Sequence, residues 1–266
     1  MLRQPAVAGY FYPADRKQLE SQIASCLPER EKKPAVAVVV PHAGYIYSGN
    51  VAGEVYASVQ LPDTCIILCP NHTGEGSDFD LWPEGEWLTP LGSAKVDQEL
   101  SGQLLRLFPR AKTDGRAHLR EHALEVQIPF LQFIKGEFRF VPLCIRQFRF
   151  DYLEELGHSL AEIVRAAGRE VLLIASSDMT HYESQESANR KDRLAIEQME
   201  KLDGRGLYDT IHRYDISMCG YLPATAILLA SRELGATRGT LLKYATSGDV
   251  NHDYSHVVGY AGMMIS

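Results

Sequence analysis

Nine histidines and five cysteines are the residues of this 266-residue chain best suited to hold a metal or move a proton. Two histidines stand at matched places, His42 in Pro41-His42-Ala43-Gly44 and His72 in Pro70-Asn71-His72-Thr73-Gly74. Each follows a short apolar run stopped by proline. His181 follows another such run, in Ser177-Asp178-Met179-Thr180-His181, and Cys219 lies in Met218-Cys219-Gly220, just before an apolar helix. Two neutral imidazoles and a thiolate suit zinc, iron or copper, and three protein ligands leave a position open, as catalytic sites do. Imidazole is the side chain that ordinarily titrates nearest neutrality, so His181 suits acid–base work beside such a site. Asp178 could fix its tautomer or join the donor set. Spacing alone also permits plainer readings: surface histidines, a packed thiol, and a helix cap at Ser177-Asp178 with His181 on the first turn.

Two rival clusters compete. His118, His122 and Glu125 stand at i, i+4 and i+7, one face of a predicted helix, but Leu119 follows His118 where an HExxH motif needs glutamate. His118 is expected on a solvated charged face, whereas His122 and Glu125, with Tyr45, are expected to line the pocket. His252, Asp253 and His256 read as a turn before the last strand. Cys26, Cys65, Cys69 and Cys144 form no CxxC pair and read as small buried residues in a reducing compartment. The chain has no GxGxxG, GxxxxGK[ST] or GxSxG, which removes support for dinucleotide enzymes, P-loop NTPases and serine α/β-hydrolases.

These candidates need elements that bring them together. Residues 35–40, 64–69, 138–145 and 170–175 read as buried strands, the third interrupted by Pro142, and 241–246 and 257–265 as two closing strands. Residues 79–91 suggest short strands or a hairpin at a sheet edge. Helices are predicted over 15–27, 50–59, 96–108, 119–134 with a kink at Pro129, 151–167 capped by Asp151, 187–202, 207–214 and 223–234; residues 42–49 read as a loop. The alternation implies a single α/β domain over residues 1–266, with a mostly parallel sheet flanked by helices. Such sheets bind ligands beyond the carboxyl ends of their strands, so His42, His72 and the Asp178/His181 pair should share one edge. A net charge of −7 without a dense basic block argues against nucleic acid. No apolar run is long enough to cross a membrane, and residues 1–5 lack the apolar stretch of a secretory signal, so a cytoplasmic protein is expected.

The sequence resembles the Memo family, whose prokaryotic members are called AmmeMemoRadiSam system protein B. The likeness lies in residues 5–13 (PAVAGYFYP), in 41–49 (PHAGYIYSG), in Pro70-Asn71-His72, in 121–130 (EHALEVQIPF), in 176–182 (SSDMTHY), in Cys219-Gly220, and in Gly248-Asp249 with 257–261 (VVGYA). It implies an α/β fold similar to class III extradiol (LigB-type) dioxygenases, which hold non-haem iron with two histidines and a carboxylate. By position, His42 and His72 then look like the histidine ligands, Cys219 like the replacement for the carboxylate, and His181 like the acid–base histidine with Asp178 beside it. A single metal ion is implied, iron before copper or zinc. A thiolate in place of the carboxylate softens the donor set and exposes it to oxidation, which argues against ordinary extradiol chemistry. The resemblance implies an oxidoreductase acting with AMMECR-type and radical-SAM partners on a small molecule or peptide. The other reading it leaves open is a non-catalytic adaptor that binds a peptide or anionic ligand in a vestigial pocket.

Overall fold

The computed structural model describes residues 1–147 and 149–266. After a short strand β1 (Leu2–Arg3), Asp15 caps α1 (Arg16–Cys26) by accepting the Gln18 N–H, and Leu19, Ile23 and Cys26 form its buried face. β2 (Ala37–Val40) is buried throughout and ends at Pro41. α2 (Tyr45–Ser58) begins earlier than expected, so the segment read as a loop is largely helical. Its glycines misled the pattern. A Cβ on Gly49, inside the stretch read as loop, would lie 2.9 Å from the Cys26 Sγ, so glycine is there to let α2 close onto α1. That packing overrides glycine's poor helix propensity.

β3 (Thr64–Pro70) is fully buried. β4 (Phe79–Leu81) and β5 (Glu86–Thr89) are the short strands expected over 79–91, and β6 (Gly92–Val96), just beyond that stretch, pairs with β5 as a hairpin. Asp97 caps α3 (Gln98–Leu107). The single kinked helix expected next is instead a one-turn helix, α4 (Arg116–Leu119), a tight turn, and α5 (Gln127–Lys135). Pro129 falls in the first turn of α5, where its missing N–H has no helical partner to lose. β7 (Arg139–Ile145) runs unbroken through Pro142. The Pro142 carbonyl accepts the Trp82 N–H on the side away from β3, so the proline nitrogen faces that side too. There it falls between the short pairings that β7 makes with β6 and with β4.

α6 (Phe150–Ala166) starts ahead of Asp151, which lies inside its first turn and pairs with Arg149 at 2.6 Å. β8 (Leu172–Ser176), β9 (His181–Glu183), α7 (Gln185–Glu200), α8 (Gly204–Tyr214), α9 (Tyr221–Glu233), β10 (Gly239–Thr246), α10 (Gly248–Asn251) and β11 (Val257–Ile265) complete the chain. The strands form one sheet in the order β1-β5-β6-β7-β3-β8-β2-β11-β10, with β4 on β7 and β9 on β11. From β6 to β2 every pairing is parallel; β11 and β10 close that edge antiparallel. Side chains alternate across the sheet. Ala37, Val39, Ile66 and Leu68 join the core under α3, α6 and α9, whereas Val38, Val40, Cys65 and Ile67 join the core under α1, α2 and α5. This is the α/β architecture expected. Among the described residues no helix is long and apolar enough to cross a membrane.

Candidate metal centre

β3, β8 and β2 are adjacent and parallel, so their carboxyl ends lie side by side. The chain leaves β2 into His42, β3 into His72, and β8 into Asp178 and His181; the Ser177 N–H donates to the Val40 carbonyl and locks two of these exits together at 2.9 Å. A third ring joins the first two from the turn between α4 and α5. His42, His72 and His122 have ring centroids 4.7 to 5.4 Å apart, and a ligating atom from each lies within 4.8 Å of the others. His42 is buried, while the His122 and His72 side chains are 23% and 34% exposed, so the cluster opens to solvent on that side.

Hydrogen bonds settle which nitrogen of His42 carries its proton. Ser176 has one hydroxyl hydrogen, and it goes to the Ala123 carbonyl at 2.6 Å. Its oxygen accepts from Gln127 Nε2, whose amide is oriented in turn by the Tyr56 hydroxyl. Ser176 Oγ can therefore only accept from His42 Nδ1, at 2.9 Å. His42 is thus Nδ1–H, which leaves Nε2 as the acceptor nitrogen. Burial, and then the neighbouring His122, His72 and His181, hold His42 well below its ordinary pKa, which keeps the ring neutral. Burial likewise lowers His122. Burial also opposes charging His72, but its hydrogen bond to Glu121 and that carboxylate's charge prevail and raise it.

Cys219 touches this set through His42, its Sγ 3.2 Å from Nε2. Since that nitrogen is an acceptor, the thiol donates. Burial and then the Asp178 carboxylate push the thiol well above its ordinary value. Gly220 lets the Cys219 loop close against the end of β8: a Cβ there would lie 2.3 Å from the Ser176 carbonyl oxygen. The mutually close donor set is therefore three histidines with a thiol beside it. His122, expected only on the pocket wall, is one of the three.

Asp178 does not hold the His181 ring. Its Oδ1 accepts the His42 backbone N–H at 2.7 Å, so it anchors the loop that carries His42. Burial raises this carboxyl to about 6, against the His42 N–H and the charge of His181. The partner of His181 Nδ1 is the Ser217 carbonyl, at 3.0 Å, while Ser217 Oγ accepts the His181 backbone N–H. A carbonyl only accepts, so His181 also carries its proton on Nδ1 and leaves Nε2 available. His181 lies on β9, not on a first helical turn, and is partly exposed.

The remaining candidates go elsewhere. Glu125 is fully buried and accepts from Arg3, Tyr12 and the Ala6 and Val7 N–H groups, a structural ion pair and not a pocket wall. The Tyr45 hydroxyl donates to the Val126 carbonyl in the core. His118, expected on a solvated face, is completely buried, with Nε2 donating to the Asp80 carbonyl at 2.7 Å. The α4 turn that carries it packs inward because the Arg3 guanidinium holds its carbonyl. His252 and His256 stay on an exposed turn. Sequence reasoning gave no role to Ser176, Gln127 or Glu121, although all three fall inside motifs that carry the family resemblance.

A family model described as Memo-like protein matches residues 3–264. The chain belongs to the Memo family. A MEMO1 family protein of Methanopyrus kandleri is 44% identical over 279 residues, covering 99% of both chains. Counterparts in Methanosarcina acetivorans and Aquifex aeolicus are 45% and 40% identical, with 99% of this chain covered in each case. The fold is also that of an uncharacterized Escherichia coli K12 protein of known structure, at a TM-score of 0.57 and 14% identity, over 86% of this chain and 98% of that one.

Proposed function

We propose that this Memo-family protein is metal-dependent, with one ion held by His42, His72 and His122 and with Cys219 supplying sulfur beside them. The observation that carries the reading is the convergence of three imidazoles within 4.8 Å, with the His42 lone pair turned away from its Nδ1 proton. Nitrogen donors with an adjacent thiol suit iron first, with copper or zinc as alternatives. When bound, the ion supplies Lewis acidity and, if iron or copper, redox capacity. The chain's own contribution is orientation and proton transfer. Asp178 and Ser176 fix the backbone and ring of His42. His181, tied through Nδ1 to the Ser217 carbonyl, presents Nε2 as the atom that takes or returns a substrate proton. The opening at His72 admits a small molecule or peptide end. An oxidoreductase role beside AMMECR-type and radical-SAM partners follows from the family resemblance and is tested by co-purification.

Elemental analysis of anaerobically purified protein tests the centre. One metal per chain is expected, lost in His42→Ala and strongly reduced in His122→Ala. Equal metal content in wild type and His42→Ala would sink the reading. Metal without any reaction or binding of catechols would remove the extradiol version and leave other metal chemistry.

A second reading, a binding pocket without turnover, is favoured by Tyr182, which is 76% exposed next to His181 on a backbone with φ of 59°. A tyrosine held in the left-handed region costs energy that a ligand contact would justify.

A further inference from the structure

Glu121 is buried to 1% exposure at the rim of the histidine cluster, yet it is not among the mutually close donors. Its two oxygens have separate obligations. Oε2 accepts the His72 backbone N–H at 2.6 Å, and Oε1 accepts the Ala123 backbone N–H at 2.9 Å. Both partners can only donate, so the position needs two acceptor oxygens. A glutamine, with one acceptor, would set its NH₂ against a buried N–H in either orientation. The carboxylate so required also meets both accessible rings. His72 Nδ1 lies 2.9 Å from Oε1, and His122 Nδ1 lies 3.3 Å from the same oxygen. The backbone that carries it is anchored as well, because the Arg3 Nη2 donates to its carbonyl at 2.8 Å.

We propose that Glu121 is the positioning residue of the centre: its carboxylate keeps the proton of His72 on Nδ1, turns Nε2 toward the ion, and restrains His122 through a longer contact. The inference rests on the metal-dependent reading for its consequence, though not for its geometry. It ranks the ligands. His72 is gripped through ring and backbone by one carboxylate, so it is the fixed donor. His122 has the longer contact to Glu121 and packs against Phe11 at 4.6 Å, so it is the donor free to adjust when the ion or substrate changes. A carboxylate behind a ligating imidazole orients the ring and raises its basicity, and losing it typically costs 10–100-fold in metal affinity.

The first test uses the wild-type apoprotein. Long-range ¹H–¹⁵N spectra of histidine-labelled protein should show His72, assigned by the signal lost in His72→Asn, as the Nδ1–H tautomer. Finding it as Nε2–H overturns the proposal without recourse to any Glu121 variant. In Glu121→Gln the same signal should move toward the Nε2–H form, and Zn²⁺ or anaerobic Fe²⁺ affinity by calorimetry should fall roughly 10–100-fold. Glu121→Asp, which keeps two acceptor oxygens, should restore part of the tautomer preference. Unchanged tautomer and affinity in Glu121→Gln would also overturn it. Wild-type protein that binds no metal would defeat the metal-dependent reading, while the apoprotein tautomer still decides the role of Glu121.

Discussion

Replacing Ser176 with alanine tests how the site is held, because one hydroxyl serves three groups. Ser176 is fully buried and His42 is 1% exposed, so no solvent can substitute. The change removes the donor to the Ala123 carbonyl and the acceptor for His42 Nδ1–H; Gln127 Nε2 keeps its second partner, the Pro41 carbonyl, at 2.9 Å. Two buried polar groups are then orphaned. Each costs roughly 1–3 kcal/mol, which puts the destabilisation at about 2–6 kcal/mol. For a chain of this size that corresponds to a Tm drop of about 2–4 °C per kcal/mol. His42 also loses what fixes its tautomer, so metal affinity should fall about 10–100-fold, equivalent to about 1.4–2.7 kcal/mol. Urea denaturation of the apoprotein reads the first effect and calorimetric titration with Zn²⁺ the second. A variant with unchanged urea midpoint and unchanged affinity would refute the assignment of Ser176 as the acceptor for His42.

Other perturbations probe the frame around the site. Arg3→Ala leaves the Glu125 carboxylate buried without its cation, the pair being 1% exposed on both sides, and should cost about 3–5 kcal/mol in chemical denaturation. Gly220→Ala places a Cβ 2.3 Å from the Ser176 carbonyl oxygen, so the Cys219 loop must shift. A loss of about 1–3 kcal/mol is expected, together with faster reaction of Cys219 with a thiol reagent; an unchanged rate would contradict the close packing. Asp192 is fully buried on α7, accepting the Thr180 N–H and the Tyr244 hydroxyl, and burial raises its carboxyl above the ordinary 3.8. The folded state therefore binds that proton more tightly than the unfolded chain. The associated stability is complete below 3.8 and is lost as pH rises through the folded value. Asp192→Asn should flatten this decline in urea midpoints across mildly acidic pH, and parallel curves for the two proteins would rule it out.

The part of the site legible in sequence came from strand ends. Continuous β-branched runs that stop at Pro41 and Pro70 mark buried parallel strands, and loops at their carboxyl ends must share an edge, so the pattern alone pairs His42 with His72. The apolar character of the Tyr221–Glu233 helix likewise placed Cys219 at the mouth of a buried element. Periodicity failed where packing outweighed local preference. Gly49, which admits α1 against α2, fell in a stretch read as loop, and a helical spacing of His118, His122 and Glu125 concealed a turn that sends the three side chains to different places.

By itself, then, the sequence determined the α/β class, the succession of its main buried strands, and two of the three converging imidazoles, because those depend on local pattern and on the chirality of strand connections. Tertiary structure decided the rest. His122 enters the cluster only because Arg3, far away at the N-terminus, holds the turn that carries it. Glu121 and Ser176 gain their roles from single hydrogen bonds to His72 and His42, and the proton positions follow from those bonds. Such contacts join residues with no sequence periodicity in common, so only the folded chain could supply them.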